Sequence, residues 1–100
     1  MKDRELWSGF IRLHILYHAS RGPIYGLWII EELARHGYRL SPGTLYPLLH
    51  GMERHGYLES APDSSVGRMR RVYRITPAGE QALRTAREKV QELFGKLREE

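Results

Sequence analysis

The chain has 100 residues, room for one domain with one core, and is 41% hydrophobic and 28% charged, within the ordinary globular range. The lack of cysteine excludes disulfide frameworks, thiolate metal clusters and a cysteine nucleophile, and no stretch approaches the roughly 20 apolar residues that span a bilayer. The net charge of +4 sits in residues 33–75, where seven arginines face three acids; a basic region so concentrated points to an anionic partner, most often nucleic acid, with a solubilising surface as the plainer reading.

In chain order, the first predicted helix covers 4–20. Leu6, Phe10, Leu13 and Tyr17 recur at helical spacing, and Trp7, Ile11 and Ile15 widen the apolar face beyond what one packing surface needs. Arg21-Gly22-Pro23 stops it. A second helix is expected from Ile24 or Tyr25 to His36, with a stripe of Leu27, Ile30, Leu33 and Ala34 and a C-terminal Gly37. Ser41-Pro42, a cap hydroxyl followed by a first-turn proline, opens the third. Its inner face is Leu45, Leu48, Leu49 and Met52, and Gly56 ends it; Pro47 predicts a late start or a bend, since an interior proline removes a helix hydrogen bond. Strands at 57–61 and 68–75 then flank a polar loop at 62–67, with Tyr73 and Ile75 on one face and Val72 and Arg74 on the other. Thr76-Pro77 starts a last helix to about 97, in which Leu83, Ala86, Val90, Leu93 and Leu97 alternate steps of three and four, a heptad seam.

The fold class is thus mostly α with a small β-hairpin. Three helices followed by a hairpin are the plan of a winged helix-turn-helix (1–76, with the N-terminal helix), and a long C-terminal helix for dimerisation follows (77–100). The outward face of the third helix offers Gly43, Thr44, Pro47, His50, Gly51 and Arg54, small and polar enough to enter a major groove, with Tyr46 on the flank. Arg68, Arg70, Arg71 and Arg74 crowd the returning strand with no acid between Asp63 and Glu80, as a wing gripping a phosphate backbone or minor groove requires; a charge-protected edge strand is the plainer alternative. Leu6 and Phe10 of the first helix, with Leu83, Ala86, Val90, Leu93, Phe94 and Leu97 of the last, need cover that a second copy of the chain supplies. Trp7, Trp28 and Phe94 are candidates for a pocket taking a small aromatic effector. His14 and His18 lie one turn apart, but a zinc site usually wants three or four protein ligands and no third is evident, so no metal or cofactor is assigned. His36, His50 and His55 read as phosphate contacts or plain surface. With no G-x-S-x-G, phosphate-binding glycine loop or His-Glu-x-x-His, an enzyme is not expected. The expected partners are double-stranded DNA and a second copy, in a sequence-specific regulator of transcription; the alternative is a winged-helix module that binds another protein. Met1-Lys2-Asp3-Arg4-Glu5 puts acids where a signal peptide is basic and then apolar, so a cytoplasmic location is expected.

The run Leu40-Ser41-Pro42-Gly43-Thr44-Leu45-Tyr46-Pro47-Leu48-Leu49 resembles the recognition-helix signature of the PadR-like transcriptional regulators. Gly22-Pro23-Ile24-Tyr25-Gly26 is similar to that family's Gly-Pro-x-x-Gly-Tyr pattern, and Glu53 to Leu58 and Gly67 to Gly79 resemble its helix exit and wing. The resemblance implies a dimeric winged-helix regulator, usually a repressor and in some members released by a small molecule. It implies that Pro47 is accommodated within the helix. Carried over by position, it places DNA contacts on Ser41, Gly43, Thr44, Tyr46, Pro47, Arg54, Gly67, Arg70 and Arg71, and dimerisation on the last helix together with the first. Leu27 and Val72 stand where the family pattern has aromatics. The last helix carries Phe94 and no tryptophan, which argues against the tryptophan sandwich that holds drugs in some short members.

Overall fold

The computed structural model describes residues 3–65 and 70–99. Helix α1 (Arg4–Arg21) leads to a two-residue strand β1 (Ile24–Tyr25), then helices α2 (Gly26–Arg35) and α3 (Pro42–Arg54), strands β2 (Leu58–Asp63) and β3 (Arg70–Ile75), and helix α4 (Pro77–Arg98). No helix among the described residues is long and apolar enough to cross a membrane.

Helices α2 and α3 end alike. Gly37 and Gly56 take φ of 90° and 83°, a left-handed conformation in which a Cβ would be strained. At each end the glycine N–H donates to one carbonyl of the last turn and the next residue's N–H to the carbonyl before it: Gly37 to Ala34 and Tyr38 to Leu33, Gly56 to Glu53 and Tyr57 to Met52. These are Schellman closures, which satisfy carbonyls that the helix leaves over. They stop both helices sharply, so α3 is offered as a separate rod after a turn of six residues, 36–41.

One helix boundary needs correcting. Helix α2 begins at Gly26, one or two residues later than expected, because Ile24 and Tyr25 pair with Tyr73 and Val72 as a third, antiparallel strand, giving the order β1-β3-β2. Helix α3 starts at Pro42, as the Ser41-Pro42 signal predicts, and takes Pro47 into its interior rather than starting late. Pro47 is its sixth residue, its ring is exposed, and the Gly43 carbonyl it leaves without an N–H partner lies in the exposed first turn, open to water. The hairpin also pairs further than expected, from Leu58↔Ile75 out to Asp63↔Arg70.

The core gathers Ile11, Ile15 and Leu16 of α1, Ile29 and Leu33 of α2, Leu45, Leu49 and Met52 of α3, and Ile24, Leu58 and Tyr73 of the sheet. Each fully buried aliphatic here contributes about 1.5–3 kcal/mol of transfer free energy. Tyr73 is wholly enclosed at the centre of the sheet, and burial pushes its phenol above the ordinary range. Helix α4 joins this core only through its first three turns, where Gly79 is buried and Ala82, Leu83 and Ala86 are half-buried; from Arg87 to Glu99 every residue is exposed. The helix therefore projects from the core, and the molecule with it is 52 Å in its longest extent.

Candidate nucleic-acid interface

Burial of Leu45, Leu49 and Met52 fixes the rotation of α3 about its axis. Ser41, Gly43, Pro47, His50 and Arg54 are thereby exposed, Thr44 and Gly51 half-exposed. The Ser41 hydroxyl donates to Thr44 Oγ1 at 3.4 Å. Tyr46 is turned differently. Its ring packs on the core, and its hydroxyl lies against Gly26, where a Cβ would stand 2.5 Å from Cζ and 2.8 Å from Cε1. The glycine that opens α2 is thus what lets α2 and α3 close on each other.

The wing arginines do not form one uniform patch. Arg70 lies with its Cζ 3.5 Å from the centroid of the Tyr25 ring and its Nε 3.9 Å from Asp63 Oδ2, and Tyr25 donates to the same carboxylate oxygen at 2.9 Å. The Ser65 backbone N–H donates to the other oxygen at 3.0 Å. Hydrogen bonds from Ser65, then Tyr25, then the charge of Arg70, hold the Asp63 carboxyl below its usual range. The expectation that these arginines lack counter-charges therefore fails at Arg70, because the hairpin pairs two residues further and brings Asp63 opposite it. Arg74 likewise lies opposite Glu59 in the ladder.

Arg71 points to the other face of the sheet and is exposed. Its Nε donates to Ser60 Oγ at 3.2 Å, and Ser60 donates to Glu53 Oε2 at 2.8 Å, so the wing cation is positioned from the end of α3. Ser60 and Glu53 went unnoticed in the sequence, since only the hairpin register brings them beside Arg71. Gly67 and Arg68 lie outside the described residues.

Leu6, Phe10, Val90, Leu93, Phe94 and Leu97 are all exposed. Trp7 packs against the core, Trp28 is 45% exposed on α2, and Phe94 is 58% exposed on the projecting part of α4. None of the three principal cavities takes in more than one of these aromatics, so the candidate effector pocket is not assembled within one chain.

A different cluster is assembled. His14 and His18 on α1 face Glu32 on α2 and its C-cap residue His36, around a cavity of about 600 Å³ whose apolar side includes Leu13, Leu83 and Val90. Glu32 Oε2 is 3.6 Å from His36 Nε2 and 4.0 Å from His18 Nε2, and the His14 and His36 rings stack at 5.1 Å. Burial lowers the pKa of His14, with the charges of His36 and His18 adding to it and Glu32 opposing; burial also lowers that of His18, against Glu32.

Three helices, a short closing strand and a hairpin wing beside an outward-facing third helix define a winged helix-turn-helix protein. Residues 15–85 match the profile of the transcriptional regulator PadR-like family, and the chain belongs to that family. It is 52% identical over 90 residues to the transcriptional regulator Rv3488 of Mycobacterium tuberculosis, a match covering 90% of this chain and 84% of the relative. A PadR family regulator from Eggerthella lenta superposes with a TM-score of 0.80 at 32% identity, over 93% of this chain and 82% of that one. A PadR-like regulator from Bacillus cereus gives 0.84 at 28% identity, over 93% and 92%. The family and the relatives are regulators of transcription, not enzymes.

Proposed function

We propose that the chain represses transcription in the cytoplasm as a homodimer bound to duplex DNA, with α3 in the major groove and the wing on the backbone. The observation that carries this reading is the exposed, small and polar face of α3, from Ser41 to Arg54, set beside an exposed Arg71 that is aimed from α3 itself. Small residues let a helix backbone approach base edges, and an exposed guanidinium suits a phosphate. A protein-binding face would be apolar, and this one is not. Selection from a randomised duplex pool at physiological salt tests the reading. An inverted repeat with half-sites roughly 34 Å apart is expected; repeated rounds that enrich nothing would overturn it.

The geometry separates two arginines that the sequence grouped. Arg71→Ala is expected to weaken binding to all duplexes and to reduce the slope of log affinity against log salt by about one per half-site. Arg70→Ala is expected to lower the melting temperature and to change the slope less, because Arg70 is committed to Tyr25 and Asp63. Equal slope changes in the two variants would show that Arg71 has no special place at the phosphates.

A further inference from the structure

We propose that His14, His18, Glu32 and His36 form a binding site for a divalent transition-metal ion of the zinc, cobalt and nickel class, between α1 and α2. The four donors are two pairs, each spaced i,i+4, which places the members of a pair on one face of their helix about 5–6 Å apart at Cβ. Helix packing turns the two faces toward each other across one cavity. Three of the chain's five histidines meet there, with a glutamate among them.

The distances suit the chemistry. Nitrogen and oxygen ligands bind zinc at about 2.0–2.2 Å, which sets neighbouring donors of a tetrahedral site about 3.4 Å apart. Glu32 Oε2 already stands 3.6 Å from His36 Nε2 and 4.0 Å from His18 Nε2. Three imidazoles and a carboxylate are a donor set that these metals accept. As the side chains stand, no three such groups among the described residues converge on one point, and the His14 ring is stacked on that of His36. Metal binding therefore requires those two imidazoles to turn from their stacked arrangement toward Glu32 and His18.

The site is partly enclosed, with His36, 49% exposed, at its open rim. The His18 and Glu32 side chains are only 14% and 19% exposed. His18 meets the Trp28 ring edge-on at 5.3 Å, and His14 meets the Tyr38 ring at 5.3 Å, so each imidazole of α1 has an aromatic neighbour. Burial also favours the neutral imidazole, the form that binds metal. The other cation at Glu32 is the exposed Arg35, 4.0 Å from Oε1, leaving Oε2 to the histidines. An ion there ties α1, which carries Leu6 and Phe10, to α2, which packs on α3. The inference does not depend on DNA binding and is read without DNA.

The test uses the full chain without an oligohistidine tag, stripped of metal by a chelator. Zinc titration by calorimetry and cobalt titration by visible absorption are expected to show one ion per chain at micromolar affinity or tighter. The cobalt complex should give the strong absorption of four-coordinate geometry, and zinc should raise the melting temperature. Glu32→Gln and His18→Ala are each expected to weaken binding at least tenfold, while His55→Ala leaves it unchanged. Cobalt should also shift the ring-proton resonances of His14, His18 and His36 in the unaltered chain, a readout that no substitution can confound by unfolding. Absence of saturable binding, undiminished affinity in both cluster variants, or unshifted histidine resonances would each overturn the proposal.

Discussion

Leu93→Asp combined with Leu97→Asp is expected to leave a folded monomer that binds its operator on the order of 100-fold more weakly than the parent. The two leucines are 49% and 61% exposed, and Val90 and Phe94 beside them are 44% and 58% exposed. They fall on one seam of a helix that is 22 residues long, about 33 Å. Beyond Ala86 that helix is exposed throughout, so the substitutions remove nothing that holds the single chain together. Burial against a second copy would contribute up to about 1.5–3 kcal/mol for each large apolar side chain. Two carboxylates forced into that seam oppose it strongly, because an unpaired charge resists burial. Only the dimer loses, and with it the second half-site. Sedimentation measures the mass, circular dichroism the fold, and titration of the operator the affinity. A double variant that still sediments as a dimer would remove α4 from the interface.

The helix-turn-helix was legible because its boundaries are written in local chemistry. Ser41-Pro42 starts α3 and Gly56 closes it, and both signals act within a single turn of chain. Helix α4 was legible for the same reason, from its Thr76-Pro77 start, although its heptad divides: Leu83 and Ala86 are half-buried, and Val90, Leu93 and Leu97 are exposed. Strand β1 was not. Two residues have no period to detect, and Ile24 and Tyr25 are extended because β3, nearly 50 residues later, offers them an edge. The neutralisation of Arg70 was hidden by register: ending the first strand at 61 leaves Asp63 in a loop, whereas two further pairs bring it opposite the arginine. The relay from Glu53 through Ser60 to Arg71 depends on the same register. At the histidines, each i,i+4 pair can be read along its own helix, but that α1 and α2 turn those faces together is a fact of tertiary packing. What escaped the sequence is therefore pairing between distant segments, and it decides which basic residues remain free for an anion.

Gly79→Ala and Gly95→Ala, the same substitution in the same helix, are expected to change stability in opposite directions. Gly79 is the third residue of α4, and its N–H donates to the Thr76 side chain at 3.0 Å, the cap of the helix. Thr76 in turn donates its hydroxyl to the Gly56 carbonyl and its N–H to the Tyr57 carbonyl. A Cβ on Gly79 would collide with that Tyr57 carbonyl oxygen and stand 2.7 Å from Ile75 Cγ1. The isoleucine can turn. The carbonyl cannot, because Tyr57 is held on one side by its N–H bond to Met52 and on the other by Leu58 pairing with Ile75. Helix α4 must therefore tilt away and strain its cap. Overpacking and a damaged cap together cost about 2–4 kcal/mol, a fall in melting temperature on the order of 10–25 °C for a domain of this size. Gly95 meets nothing within 4 Å, so alanine there only removes backbone freedom from the unfolded chain. A gain of about 0.5–1 kcal/mol follows. Thermal unfolding at one fixed protomer concentration compares the two, since a dimer's melting temperature depends on concentration. A melting temperature for Gly79→Ala within a degree of the parent would mean that the joint between the wing and α4 yields freely. In that case the aim of the projecting helix is not set by the domain that carries α3.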